Sequence, residues 1–135
     1  MRQPPDIRSY PILLKYINLQ GQLVAATDQD QRKAISWSMI TFVRDAIQQA
    51  KEFNLLTAEA LKANQIEAGI YREGNIHDAI TISSLPYTQF AIISEKEGNI
   101  TQAVWACQQA IDLGLTDDGT KGGMHRRLDR LLKKV

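Results

Sequence analysis

The sequence predicts an all-α chain made of stacked antiparallel helix hairpins, about six to seven helices in a single right-handed stack. Three observations carry this expectation. Apolar residues recur at three- and four-residue steps along most of the 135 residues, the spacing of one helix face. No run alternates with period two over a useful length, so no sheet is predicted. The tetrapeptide Glu73-Gly74-Asn75-Ile76 returns as Glu97-Gly98-Asn99-Ile100, and each copy reads as helix, glycine turn, helix.

Taken in order, Pro4-Pro5 excludes helix at the start and marks residues 1–10 as a loose tail. Pro11 suits a first helical position, and Leu13, Tyr16, Ile17, Leu19 and Leu23 continue the pattern. Gly21 lies inside that run, where it weakens a helix by about 1 kcal/mol relative to alanine. The polar stretch 27–31 reads as a turn, with Asp28 or Asp30 placed to cap the next helix. Ile35, Met39, Phe42, Val43, Ala46, Ile47, Ala50 and Phe53 form one long stripe, with Asn54 as a left-handed stop. A third helix is then expected from Thr57 to the Gly74-Asn75 turn, and a shorter one over 76–83 that ends before Pro86. Helices over 87–97, 101–113 and 124–134 complete a single helical domain over 11–135.

Composition narrows the function classes. A hydrophobic share of 44% with 23% charged residues is that of a globular domain able to bury its own core. The net charge of +1 gives no global field toward nucleic acid or membrane. It hides an asymmetry, because residues 121–135 carry +5 and the preceding 120 residues carry −4. Cys107 is the only cysteine, so no internal disulfide forms and a reducing cytoplasm is the expected setting. The N-terminus lacks the pattern of a secretory signal, and no apolar run approaches the ~20 residues of a membrane span.

A second echo, Gln48-Gln49-Ala50 and Gln108-Gln109-Ala110, marks two helix ends followed by exit turns. On these residues, positions 85–115 resemble one tetratricopeptide repeat, an antiparallel helix pair of roughly 34 residues. Tyr87 and Phe90 match the aromatics of the first helix, Ala91 the small contact residue, Gly98 the turn glycine, and Ala103 and Ala110 the small residues of the second helix. The chain departs from the family at Ser94, Cys107 and Leu115, where tyrosine, a bulky aromatic and proline are usual. The resemblance implies a concave surface on the first helix of the hairpin, and there Thr88, Ile92 and Glu95 would face a groove for a peptide.

Motifs for chemistry are absent. His77 and His125 have no third ligand nearby in sequence, and neither a zinc-protease, a paired-cysteine nor a nucleophile-elbow pattern occurs. Cys107 falls on a core-facing stripe between Val104 and Ile111, where a thiol behaves as a small hydrophobe. Trp37 and Trp105 read as core or half-buried residues. The loop over 116–123 is rich in glycine but matches no phosphate or calcium loop, and reads as a turn capping the last helix. That helix carries Arg126, Arg127, Arg130 and Lys133 beside an apolar stripe, as a terminal capping helix of a stack would. No enzyme, metal or cofactor is therefore expected. The expected function is that of a protein- or peptide-binding adaptor, with self-association compatible. The alternative is an accessory protein that holds nucleic-acid phosphates through those four basic residues.

Overall fold

The computed structural model describes residues 2–135. Its helices are α1 Pro11–Ala25, α2 Gln29–Ile40, α3 Val43–Glu67, α4 Leu85–Lys96, α5 Ile100–Asp112 and α6 Gly123–Leu132, preceded by one 3-10 turn at Ile7–Ser9. No strand occurs among the described residues, and the all-α architecture of packed helix hairpins expected from the sequence is the one adopted. Contacts group the residues into two compact units. One comprises the residues up to Asn18 with Phe42–Ile82, the other Leu19–Thr41 with Ser83–Val135.

In the first unit, residues 2–10, expected as a loose tail, take part in the packing. Asp6 accepts a hydrogen bond from the Arg8 amide and so caps the 3-10 turn. Tyr10 is buried with Leu13 and Ala50, and Ile7, Ile17, Phe53, Ile80 and Ile82 pack on them. The Tyr10 and Phe53 rings meet edge to face at 5.5 Å, the arrangement favoured by their quadrupoles. Gln49 Oε1 accepts from the Leu13 amide at 2.9 Å, satisfying one of the orphan donors at the start of α1. Arg2 exchanges two backbone hydrogen bonds with the Asn64 carboxamide, at 2.7 and 2.8 Å.

Three local expectations are corrected here. The long stripe expected over 35–53 is divided: α2 ends at Ile40 and Phe42, at φ −130° and ψ 19°, is not helical. Thr41 Oγ1 donates to the Ser38 carbonyl at 2.6 Å, a side-chain bond that competes with the helix ladder. The Phe42 ring lies against Tyr16 instead, at 6.1 Å and nearly perpendicular. Asn54 does not stop a helix, because α3 runs through it to Glu67. Its carboxamide is engaged elsewhere, donating to the Ile80 carbonyl at 2.7 Å and accepting from the Ile80 amide at 3.0 Å.

Residues 76–83, expected as a short helix, form none. The run Ile80-Thr81-Ile82 is β-branched throughout, a poor helix former. Held by Asn54, it delivers Ile80 and Ile82, two residues apart, to the Tyr10–Leu13 core. The first copy of the repeated tetrapeptide consequently joins no helices. α3 has already ended at Gly69, whose φ is +73°, with Ile70 N–H bonded to the Gln65 carbonyl.

The second unit holds the regular hairpin. Asp28 caps α2 by accepting from the Gln31 amide at 2.8 Å. Pro86 occupies the first turn of α4, where its missing N–H costs nothing. The turn out of α4 is a full Schellman motif. Gly98 at φ +80° bonds the Glu95 carbonyl, and the Asn99 amide reaches back to the Ser94 carbonyl at 2.8 Å. Asn99 then caps α5 through the Gln102 amide at 3.1 Å. Ala91 of α4 and Ala103, Ala106 and Ala110 of α5 are buried, and side chains this small let two helices approach closely. Tyr87, Phe90, Ile93 and Cys107 fill the remaining space.

The Asn54 clamp yields a discriminating prediction. Asn54→Ala should destabilise the protein by about 2 kcal/mol, since it strands two partly buried backbone groups at Ile80. Urea unfolding measures this. A residue that merely interrupted a helix would show the reverse, a gain in stability on replacement by alanine.

Candidate functional site

The candidate groove residues Thr88, Ile92 and Glu95 do share one face of α4, but α6 and the loop before it lie against that face. Thr88 is 7% exposed. Its hydroxyl lies 3.2 Å from that of Ser84 and donates to Met124 Sδ at 3.9 Å, while Ser84 donates to the Asp117 carbonyl. Ile92 is half-buried. Glu95 receives a bidentate pair from Arg130, at 2.7 and 2.9 Å, and Lys134 Nζ at 2.6 Å. The groove residues and the basic helix, expected as separate surfaces, thus meet in one contact.

The rest of the basic helix divides into engaged and free charge. Arg127 Nε donates to Asp118 Oδ2 at 2.9 Å, and the Asp118 side chain is fully enclosed. The Arg126 guanidinium donates to the Lys121 carbonyl at 3.4 Å, and Lys133 is exposed with no carboxylate partner among the described residues. Thr120, Lys121, Arg126, Arg127 and Arg130 surround a recess of about 280 Å³. The loop over 116–123 is closed by its own bonds: Asp117 accepts from the Gly119 amide, Asp118 from Thr120, and the Thr116 carbonyl from the Met124 amide. Gly123, at φ +60°, is obligatory there, because a Cβ would stand 2.3 Å from the Thr116 oxygen.

These pairings govern the titration of the site. The Arg130 and Lys134 hydrogen bonds outweigh desolvation at Glu95 and hold its carboxyl down to about 2. Burial alone would raise Asp118, yet the hydrogen bonds from Thr120 and Arg127 bring it below the ordinary carboxylate value. At Cys107 burial dominates and pushes the thiol up to about 11. Among the described residues, no group of three or more His, Cys, Asp or Glu side chains is placed to hold a metal ion. No helix among them is long and apolar enough to cross a membrane.

A different surface of the same unit, which the sequence reading did not assemble, gathers three aromatic rings. Trp37 of α2, Phe90 of α4 and Trp105 of α5 lie with centroids 5.6, 5.7 and 6.1 Å apart. Trp37 remains 48% exposed. Lys33, one turn before Trp37, has its ammonium 5.4 Å from the Phe90 ring centre and is tethered by Glu97 and Gln102, both at 3.1 Å. Arg32 donates to Gln89 Oε1 at 2.6 Å and ties α2 to α4 a second time. Asp30, Lys33, Ala34 and Trp37 on α2, with Phe90 and Gln102, line a pocket of about 360 Å³. The only sequence signal was the i, i+3, i+4, i+7 spacing of those four α2 residues, which marks a shared helix face but not what it faces.

Two outcomes test this electrostatic account. A carboxyl held to about 2 stabilises the fold at and above the ordinary value of 4.5, and that stabilisation fades as pH falls from there through 2. Urea unfolding across pH 2–7 should therefore show a shallower acid-side loss for Glu95→Gln than for the native chain; identical slopes would remove the pair from the account. The Cys107 thiol should react with a disulfide reagent at pH 8 only as fast as the chain unfolds, and reaction at the rate of a free thiol would contradict its enclosure. No protein-family profile, curated protein or solved structure matches this chain.

Proposed function

We propose that this chain is a non-catalytic module that binds a protein or peptide partner, and that α4 and α5 form one tetratricopeptide-like hairpin within it. The hairpin reading is supported by the Schellman turn at Gly98, the buried alanines of the seam and the aromatic residues Tyr87 and Phe90 at the start of α4. The binding surface moves from the Thr88 face, which α6 occupies, to the face where α2 meets the hairpin.

The observation that carries this reading is the half-exposed Trp37 on the three-ring cluster. A tryptophan left in water beside two other aromatics is the pattern of an interface anchor. The pocket beside it has room for an apolar side chain, while the Asp30 carboxylate and the Gln102 amide nitrogen in its lining offer polar groups to a peptide backbone. A cytoplasmic setting goes with this proposal, since the one thiol is enclosed and no disulfide braces the fold. The phosphate-contacting alternative ranks second, because Arg127 and Arg130 already serve Asp118 and Glu95 and only Arg126, Lys133 and the neighbouring Lys121 are left for an external anion.

Peptide display against the native chain tests the reading directly. Enriched peptides should carry a recurring aromatic or branched aliphatic residue. Their affinity should fall at least tenfold for Trp37→Ala, a substitution at an exposed site that leaves the helical circular dichroism unchanged. Peptides that bind the Trp37→Ala chain equally well would displace the site from this surface. Affinity that tracks Arg126 and Lys133 and collapses with salt would promote the phosphate alternative.

A further inference from the structure

The first unit carries an unpartnered face that the peptide-binding reading does not use. α3 buries Val43, Ala46 and Ala50 in its first half, but only Ala60 in its second. Beyond Asn54 the helix turns large apolar groups to water: Leu55 is 60% exposed and Ile66 57%, with Leu56 and Leu61 less so. At 100° per residue, Leu55, Glu59, Lys62 and Ile66 fall within an arc of about 60°, on the side of the helix away from Ala46, Ala50 and Ala60. This stripe runs between two recesses. One, of about 250 Å³, lies between Leu55, Ala58 and the returning residues Tyr71 and Ile76. The other, of about 380 Å³, lies between Leu56 and Pro5, and Glu59 borders both.

The order of residues along the stripe is apolar, acidic, basic, apolar, and the spacing is symmetric about the Ala60–Leu61 bond. We infer that this stripe is the interface of a two-fold homodimer in which α3 packs antiparallel to α3 of a second copy. In that register Leu55 meets Ile66 and Glu59 meets Lys62, each pair formed twice, as an isologous contact requires. The recess beside Leu55 then receives the Ile66 side chain of the second copy. A parallel pairing would set Glu59 on Glu59 and Lys62 on Lys62, so charge selects the antiparallel arrangement. Within one chain neither Glu59 nor Lys62 has an ion-pair partner among the described residues; Lys62 instead lies 5.2 Å from the centre of the Tyr71 ring. Self-complementarity is what singles out a second copy as the occupant, because an unrelated partner would place no such symmetry on the stripe.

Sedimentation of the full chain over a range of concentrations tests the proposal. The 15.2 kDa chain should sediment as a dimer, and Leu55→Glu should make it monomeric with its circular dichroism unchanged. Glu59→Lys alone should weaken the dimer at least tenfold, and the exchange of both charges, Glu59→Lys with Lys62→Glu, should restore it. Register is read by cysteine crosslinking. A mixture of Leu55→Cys and Ile66→Cys chains should crosslink on mild oxidation, while neither variant should do so alone, since equivalent Leu55 positions lie about 16 Å apart along the pair. A native chain that stays monomeric at every concentration overturns the inference. A dimer unaffected by Leu55→Glu, or one crosslinked by Leu55→Cys alone, overturns it as well.

Discussion

The close approach of α4 and α5 depends on a row of side chains no larger than a methyl group. Ala91, Ala103, Ala106 and Ala110 are all buried, and any longer side chain there would force the two axes apart. The turn at Gly98 belongs to the same constraint, because a left-handed residue is needed to end one helix and start its neighbour within three positions. With the seam closed, Phe90 is held where α2 can reach it, and Cys107 is enclosed deeply enough that its thiol is raised well out of the reactive range. The aromatic surface and the silence of the cysteine are both consequences of one packing requirement.

Charge in the second unit is spent mostly on the molecule itself. Arg130 and Lys134 converge on Glu95, and Arg127 on the enclosed Asp118, so the basic helix is fastened to α4 and to its own preceding loop. A guanidinium in a bidentate, partly desolvated pair is a poor ligand for an external phosphate, because that pair must first be broken. Sequence composition counts such a residue as free basic charge; its partner decides otherwise. The same helix hides Thr88 and leaves Trp37 as the conspicuous unfilled contact of the unit.

Much of the fold was legible because helix signals are local. Pro11, Asp28 and Gly98 act within one turn of their own position, and each does in the structure what its chemistry prescribes. The expectations that failed all involve residues answering a distant partner. Asn54 has the side chain of a helix stop, but its carboxamide serves Ile80, 26 residues away, and α3 continues. Phe42 sits on the apolar stripe and still leaves the helix, with its ring against Tyr16. The first copy of the repeated tetrapeptide equals the second letter for letter, but its flanking residues 76–83 are recruited to a core built around Tyr10.

The candidate sites divide along the same line. The sequence by itself determined the helical class, the caps, the buried character of Cys107 and the faces on which Trp37 and Glu95 lie, since each follows from short-range backbone chemistry and the 3.6-residue period. Only the tertiary structure decided what those faces meet. It set Glu95 beneath Arg130, and it brought Trp37 within ring contact of Phe90 and Trp105, which lie far along the chain. The reason is that periodicity fixes the direction of a side chain relative to its own helix, whereas the partner across the interface is chosen by packing volume and charge summed over several elements at once.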